Sequence, residues 1–256
     1  MFSETKPVAK GMAAVTIALY LLSLLLPSSE SVFAMKATNT YGSHSYVWNV
    51  FTAGFYNTNI IMALISSITF IVMGRFLSNW SSCDLLRFVF FSNLAVGLCT
   101  FMCQIFLYMT SFNYKYLEQP VSGGMGIIAA FVVTIKQRLP EEPVAFFGAS
   151  IEGLTAKYLP GVVICLSAVL SVTGLAPVMV QCVCGTYFSW LFLRFLQRGD
   201  DGMRGDPREE MSFIAFFPSS LRPLMQVLSS FAYRMVCTKS VQSMLDDLTV
   251  GAGLPR

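Results

Sequence analysis

Residue types that carry out acid–base or metal chemistry are scarce in this sequence. The 256-residue chain has a single histidine, His44, in a polar loop where a solvated role is expected. No predicted membrane-spanning segment has a charged residue in its interior, although such a charge is the usual mark of a transporter or a proton relay. The sequence therefore predicts no metal site and no cofactor, and it argues against ion-coupled transport.

Nucleophilic catalysis needs a serine or cysteine, a base that activates it and donors that hold the oxyanion. Three glycines, Gly123, Gly124 and Gly126, surround Met125 at the head of an uncharged segment. Intramembrane serine proteases of the rhomboid class have a GxSG sequence at this point, so Met125 stands where their serine would be. Cys182 stands in place of the histidine in their later H-x-G-G sequence.

The remaining nucleophiles offer no substitute. Ser122 has no glycine two positions before it, and no later span holds a histidine that could activate it. The seven cysteines lie mostly in apolar runs, where a thiol behaves as a small hydrophobe, and they form neither a disulfide framework nor a zinc spacing. We therefore predict no enzyme activity. Gly123–Gly126, with Cys182 and Gly185, is interpreted as a vestigial motif whose glycines allow helices to pack closely.

The composition indicates a protein that is solvated mainly by lipid. Hydrophobic residues make up 55% of the chain, charged residues only 12%, and the mean hydropathy is +0.62, whereas a soluble domain has about 25% charged residues. Long apolar runs then predict an all-α polytopic membrane protein, because only helices and closed barrels satisfy their backbone in lipid. The net charge of +3 is small, which argues against a nucleic-acid partner.

Six membrane-spanning segments are predicted. The uncharged stretch between Lys157 and Arg194 would form a single helix about 54 Å long, so we expect the Gly and Pro in Thr173–Pro177 to divide it into two short spans. The fourth segment is short and glycine-rich, which favours a central position sheltered by the other helices. The first four segments are Gly11–Pro27, Asn57–Gly74, Phe88–Thr110 and Pro120–Ile135.

The basic residues orient these segments. With a cytosolic N-terminus, only Lys36 and Lys115 of the 17 Lys and Arg residues fall in outer loops, so both termini are predicted to be cytosolic. The glycosylation sequon at Asn79 is then cytosolic and is expected to be unmodified. The first segment and the small residues ending at Ala34 also fit a signal peptide. A retained span is favoured because this topology needs an even number of segments.

Two parts of the chain are predicted. Residues 1–198 form a six-span membrane domain, and residues 199–256 form a cytosolic tail. Within the tail, residues 211–236 are apolar but are interrupted by Arg222 and Arg234, which predicts an amphipathic segment on the membrane or against the bundle.

Two aromatic groups are candidates for contact with other proteins. Trp48, Phe51 and Phe55 lie in the first outer loop, where they are expected to form an interfacial aromatic belt or to contact a client. The tail contributes three further candidates, either for recognition of a partner protein or for packing on the membrane surface: Phe216, Phe217 and Pro218.

Several blocks of sequence resemble a known family. Met73–Phe91 is similar to the joint between the second and third spans of rhomboid-like proteins. Four further blocks, in the same order, resemble the transmembrane protein 115 family of rhomboid-like Golgi membrane pseudoproteases: Trp48–Ile60, Gly123–Pro143, Phe188–Gln197 and Phe213–Pro223.

This resemblance implies a six-span rhomboid-like helical bundle in the Golgi membrane, without protease activity. It also implies a role in retrograde Golgi-to-ER transport, self-association, and a tail that binds vesicle-tethering proteins. One alternative is a derlin-like pseudoprotease of quality control in the ER membrane, which uses a thinned bilayer to handle client helices. The Trp-Arg pair expected of that branch is missing from the first outer loop. Another alternative is an active intramembrane protease, which would be labelled by a serine-reactive probe.

Overall fold

The computed structural model describes residues 5–41, 45–146, 149–173, 178–197, 205–206 and 208–216, together with residues 223, 226 and 227. It divides the chain into two compact units, Met1–Pro207 and Arg208–Arg256. The first unit extends past residue 198, where the sequence predicts the boundary, because the chain folds back onto the end of its last helix. There the backbone N–H of Gly205 donates to the Gln197 carbonyl at 2.6 Å, and the Arg194 side chain donates to the carbonyl of Asp206.

The described part of the first unit is mostly helical. Its last helix, α10, continues beyond Leu191 into a wider π-helical turn, Phe192–Leu196. The elements in chain order are α1 (Pro7–Leu25), α2 (Ser29–Phe33), α3 (Ala37–Tyr41), α4 (Asn49–Thr52), α5 (Ile60–Phe76), α6 (Ser82–Ser111), α7 (Lys115–Glu118), α8 (Met125–Arg138), β1 (Pro143–Phe146), β2 (Ala149–Thr155), α9 (Leu159–Val172) and α10 (Met179–Leu191).

Each of the six predicted segments corresponds to one helix: α1, α5, α6, α8, α9 and α10. The predicted division of the last apolar stretch is confirmed, since α9 ends at Val172 and α10 begins at Met179. Within the described residues, three helices are long and apolar enough to cross a membrane: α1, α6, and α10 with its π-helical turn. The other three have 17, 14 and 14 residues, fewer than the roughly 20 that a bilayer core requires, so six spans remain a prediction.

Polar side chains fix where α5 and α6 begin. The Ser81 hydroxyl accepts the backbone N–H of Asp84 at 3.1 Å, while the Asp84 carboxylate accepts the N–H of Ser81 at 3.4 Å. This capping box starts α6 several residues before the apolar run at Phe88. Asn59 caps α5 in the same way, accepting the N–H of Ile61 at 2.8 Å.

The short helix α8 forms the centre of the bundle. None of its residues is exposed, as expected for a central helix, and Ala129, Ala130 and Val133 are completely inaccessible. The Phe131 ring packs edge-on to Phe70 of α5 at 6.1 Å and lies 5.7 Å from Phe88 of α6. Such pairs contribute about 0.5–1.5 kcal/mol each beyond the area they bury. These three rings therefore tie the central helix to its neighbours.

The first outer loop is folded rather than extended. It contains α2, α3 and α4, and it pairs with the chain just before α8. Met35 and Val121 exchange two backbone hydrogen bonds, each 2.9 Å long. The loop thus covers the start of the central helix.

A two-stranded hairpin between α8 and α9 was not predicted from the sequence. Strands β1 and β2 are antiparallel, with Pro143 opposite Thr155 and Phe146 opposite Ala149. Its base is closed by backbone hydrogen bonds of 3.0 Å from Ala156 to Glu142 and from Lys157 to Pro140.

The described residues of the second unit include two single 3-10 turns, Glu209–Met211 and Phe213–Phe216. Most of the predicted amphipathic segment 211–236 lies outside the described residues.

Candidate functional site

The turn that leads into α8 requires glycine at its first position. Gly123 has φ +106°, a left-handed conformation in which a side chain would be strained. Its N–H donates to the carbonyl of Ala53 at 2.9 Å, which fastens the turn to the outer loop. Gly124 then occupies the N-cap position and offers no side-chain oxygen to the first turn of α8.

The backbones of α8 and α10 touch at two glycines. A Cβ atom on Gly185 would lie 2.2 Å from the carbonyl oxygen of Gly126. One on Gly126 would lie 2.7 Å from Val96 of α6 and 3.2 Å from the carbonyl of Gln181. The structure therefore brings together Gly126 and Gly185, from the two halves of the vestigial motif, as a close helix crossing.

Met125 and Cys182 do not form a paired site. Met125 is half-buried at the first position of α8. Cys182 is completely buried, and its thiol lies near the side chain of Ser167 on α9. A buried thiol therefore occupies the position of the rhomboid histidine.

A small cavity lies beside the first turn of α8. Its volume for a water-sized probe is about 20 Å³, which admits about one water molecule. It is lined by the outer loop, α6, α8 and α10, including Asn93, Gly126 and Gln181. This space is far smaller than the roughly 300 Å³ of the smallest usual ligand pockets.

Gln181 is the residue at this cavity that the sequence analysis did not identify. Its side-chain amide donates to the carbonyl of Ser122 at 3.5 Å, and its Oε1 atom is buried without a hydrogen-bond partner among the described residues. The Oδ1 atom of Asn57, which lies beside Gly123, is also buried without a hydrogen-bond partner among the described residues. The sequence offered one signal for this residue. Gln181 has the only side-chain amide in the uncharged run that contains Cys182, and it directly precedes Cys182.

The other polar residues near the spans bind loop backbone or cap helices. Asn93 donates to the carbonyl of Phe51, and Gln104 donates to that of Gln119 at 2.8 Å. These amides therefore satisfy backbone carbonyls of the loops, which need hydrogen-bond donors where they are buried.

The aromatic residues of the outer loop differ in exposure. Trp48 is 50% exposed, and its ring centroid lies 5.0 Å from that of Tyr46. Phe51 is half-buried and lies 5.0 Å from Phe90 of α6. Phe55 is only 7% exposed and stacks on Phe70, so its ring belongs to the core and not to a belt or a client contact surface.

At the opposite end of the bundle, basic side chains hold the α5–α6 connection. Lys6 donates to the backbone carbonyls of Leu77 and Trp80. Burial, with a smaller contribution from the neighbouring Arg138, lowers the pKa of Lys6 from its ordinary value. Arg138 itself lies 6.0 Å over the Trp80 ring.

The remaining candidates are only partly described. Phe216 is half-buried in the last described turn of the second unit. His44, Phe217 and Pro218 lie outside the described residues. Over the described ranges, no group of three or more His, Cys, Asp or Glu side chains could hold a metal ion.

Comparison with known proteins gives a match along nearly the whole chain. The model of a family described as "Eukaryotic integral membrane protein (DUF1751)" matches residues 10–254. Rhomboid-like protein 19 of Arabidopsis thaliana is 31% identical over all of this chain and 83% of its own length. Transmembrane protein 115 of Homo sapiens is 28% identical over 94% of the chain and 70% of its own length. No solved structure matches the chain.

Proposed function

Because this chain belongs to the DUF1751 family of eukaryotic integral membrane proteins, we propose that it is a non-catalytic rhomboid-like scaffold or adaptor of the Golgi membrane. It acts in vesicle traffic, in retrograde Golgi-to-ER transport. Its relatives named Rhomboid-like protein 19 and Transmembrane protein 115 support the rhomboid-like part of this proposal.

The observation that carries the non-catalytic part is the state of the first turn of α8. Met125 replaces the nucleophile, the completely buried Cys182 replaces the histidine, and the adjoining cavity admits about one water. A protease needs room for a peptide carbonyl between nucleophile, base and oxyanion donors. In this proposal the vestigial motif serves only the packing of the central helix.

The proposed topology has six spans and both termini in the cytosol. It is supported by the grouping of basic residues from distant parts of the chain. Lys6, Arg75 and Arg138 all lie at the end of the bundle where α1 begins and α5 ends: Lys6 binds the α5–α6 connection, Arg138 covers Trp80, and the Arg75 guanidinium donates to Thr5 at 2.8 Å. Positive charge collects on the cytosolic side of membrane proteins.

We assign two contact regions to this function. The tail residues Phe216, Phe217 and Pro218 bind a vesicle-tethering protein from the cytosol. In the outer loop, the exposed Trp48 and the half-buried Phe51 are suited to contact with a membrane-protein client or a second copy of the chain, since Trp is enriched at such surfaces.

The proposal is tested with the full chain, tagged and expressed at its natural level. Proximity labelling is combined with localisation by fluorescence. We expect Golgi residence and labelling of tethering or coat proteins, and we expect that labelling to fall when Phe216, Phe217 and Pro218 are replaced by alanine. A matched variant with alanine at Ser219 and Ser220 keeps it.

The same experiment separates the derlin-like alternative, which the short helices α5, α8 and α9 favour because short spans thin a bilayer. ER residence with labelling of degradation machinery would replace the Golgi proposal with that function.

A further inference from the structure

An apolar groove runs along the outside of the bundle between α1 and α5. Its volume is about 490 Å³. Ala14 and Ala18 form its exposed floor on α1, and Ser67 and Ile71 line it from α5. The Ser67 hydroxyl donates to the carbonyl of Ala63 at 2.8 Å, so it is satisfied and the groove presents an apolar surface.

The length of the groove matches one leaflet of a bilayer. Its lining on α1 extends from Lys10 to Leu21, which is about 16 Å at 1.5 Å per residue. Half of a hydrocarbon core is roughly 15 Å. A lipid acyl chain that lies in the groove would therefore cover the depth of one leaflet.

A positively charged side chain, that of Lys10, lies at one end of the groove. Lys10 lines it and is exposed, and its side chain makes no hydrogen bond or ion pair with any residue that the structure describes. Lys6, one turn earlier, is committed to the carbonyls of Leu77 and Trp80. Lys10 can therefore reach the headgroup layer and pair with an anion there.

We propose that the groove between α1 and α5 binds one anionic phospholipid of the cytosolic leaflet, with its phosphate on Lys10 and an acyl chain over Ala14 and Ala18. The basic residues assign the Lys10 end of the groove to the cytosolic side of the membrane, and the cytosolic leaflet is the one rich in anionic lipid. A resident lipid of this kind fills the space that α1 leaves beside α5. It makes the fit of α1 depend on the composition of the membrane.

The test uses the full chain, purified in detergent, depleted of lipid and titrated with dioleoylphosphatidylserine or dioleoylphosphatidylcholine in native mass spectrometry. We expect one tightly bound lipid and a preference for phosphatidylserine. Lys10→Gln should weaken phosphatidylserine binding about fivefold, the factor that corresponds to about 1 kcal/mol per basic residue near an anionic surface. Ala18→Phe, which fills the groove, should weaken binding of both lipids.

Two matched variants control for charge and bulk elsewhere. Lys115→Gln removes an exposed charge from α7, and Val169→Phe enlarges a residue of α9 that is 59% exposed. Both should bind lipid like the unmodified chain. Unchanged binding in Lys10→Gln or in Ala18→Phe overturns the proposal, as does a change of oligomeric state in Ala18→Phe without a change in lipid binding.

A second measurement keeps the proposal testable if a variant does not fold. Photoactivatable phosphatidylserine, incorporated into nanodiscs with the unmodified chain, should label peptides of α1 and α5. Labelling confined to other helices overturns the assignment.

Discussion

Met125 and Cys182 show how much of an active site depends on the direction of side chains. Two substitutions would restore the residue types of a rhomboid dyad, but neither Met125 nor Cys182 lines the cavity, and Gln181 is the residue that α10 contributes to its lining. The sequence predicts the loss of the two catalytic groups. It could not predict Gln181 at the cavity, because α10 is apolar on most of its faces and no pattern reports its rotation.

The double variant Met125→Ser/Cys182→His should therefore remain inactive. Positions 125 and 182 do not line the cavity, and its volume of about 20 Å³ leaves no room for a fluorophosphonate. We expect no labelling of this variant or of the unmodified chain by a fluorophosphonate probe, with an active rhomboid protease as the positive control. Labelling of the double variant that is lost on heating would show that the site can be assembled.

Gly185 sets the distance between α8 and α10. Gly185→Ala places a methyl group 2.2 Å from the carbonyl of Gly126, so the two backbones must separate. We expect a loss of about 1–3 kcal/mol, seen as a lower Tm in detergent. Gly161→Ala is the matched control, since nothing lies within 4 Å of its new Cβ, and its Tm should stay the same or rise. Equal Tm values for the two variants would contradict a close crossing here.

At the scale of elements, apolar runs located the long helices but not the structures between them. The start of α6 at Ser82 depends on the pair Ser81 and Asp84, which lies outside any apolar run. The outer loop folds because Met35 pairs with Val121, a contact between residues far apart in sequence. The hairpin has strands of only four and seven residues, too short for a strong period-two pattern.

The hairpin should be dispensable for the fold of the bundle. Ala156 donates to the carbonyl of Glu142 at 3.0 Å, so a two-residue Asn-Gly turn can replace residues 143–155 across this closed base. An isolated two-stranded hairpin has little stability of its own, so we expect Tm to change by no more than about 4 °C. A collapse of Tm, measured against a variant that replaces only residues 147–148 with Asn-Gly, would assign the hairpin a structural role.

At the scale of the whole molecule, the lengths of the helices and the distribution of charge support different topologies. In the part of the chain that the structure describes, three helices are long and apolar enough to span a bilayer, whereas the basic residues fit six spans. The contact between Lys6 and the carbonyls of Leu77 and Trp80 places the start of α1 and the end of α5 at the same end of the bundle. We therefore expect α5, which runs antiparallel to α1, to cross the membrane with it, as the six-span topology requires.

Glycosylation mapping separates the two topologies. If only α1, α6 and α10 span, every residue between Leu25 and Ser82 lies on one side of the membrane. With six spans, residue 43 is lumenal and Asn79 is cytosolic. The variant S43N creates an Asn-His-Ser sequon in the outer loop, and Asn79 already lies in one and is exposed. We expect S43N to gain a glycan that an endoglycosidase removes, and Asn79 to stay unmodified in both chains. Glycans at both residue 43 of S43N and Asn79, the latter lost in Asn79→Gln, would establish that α5 does not cross.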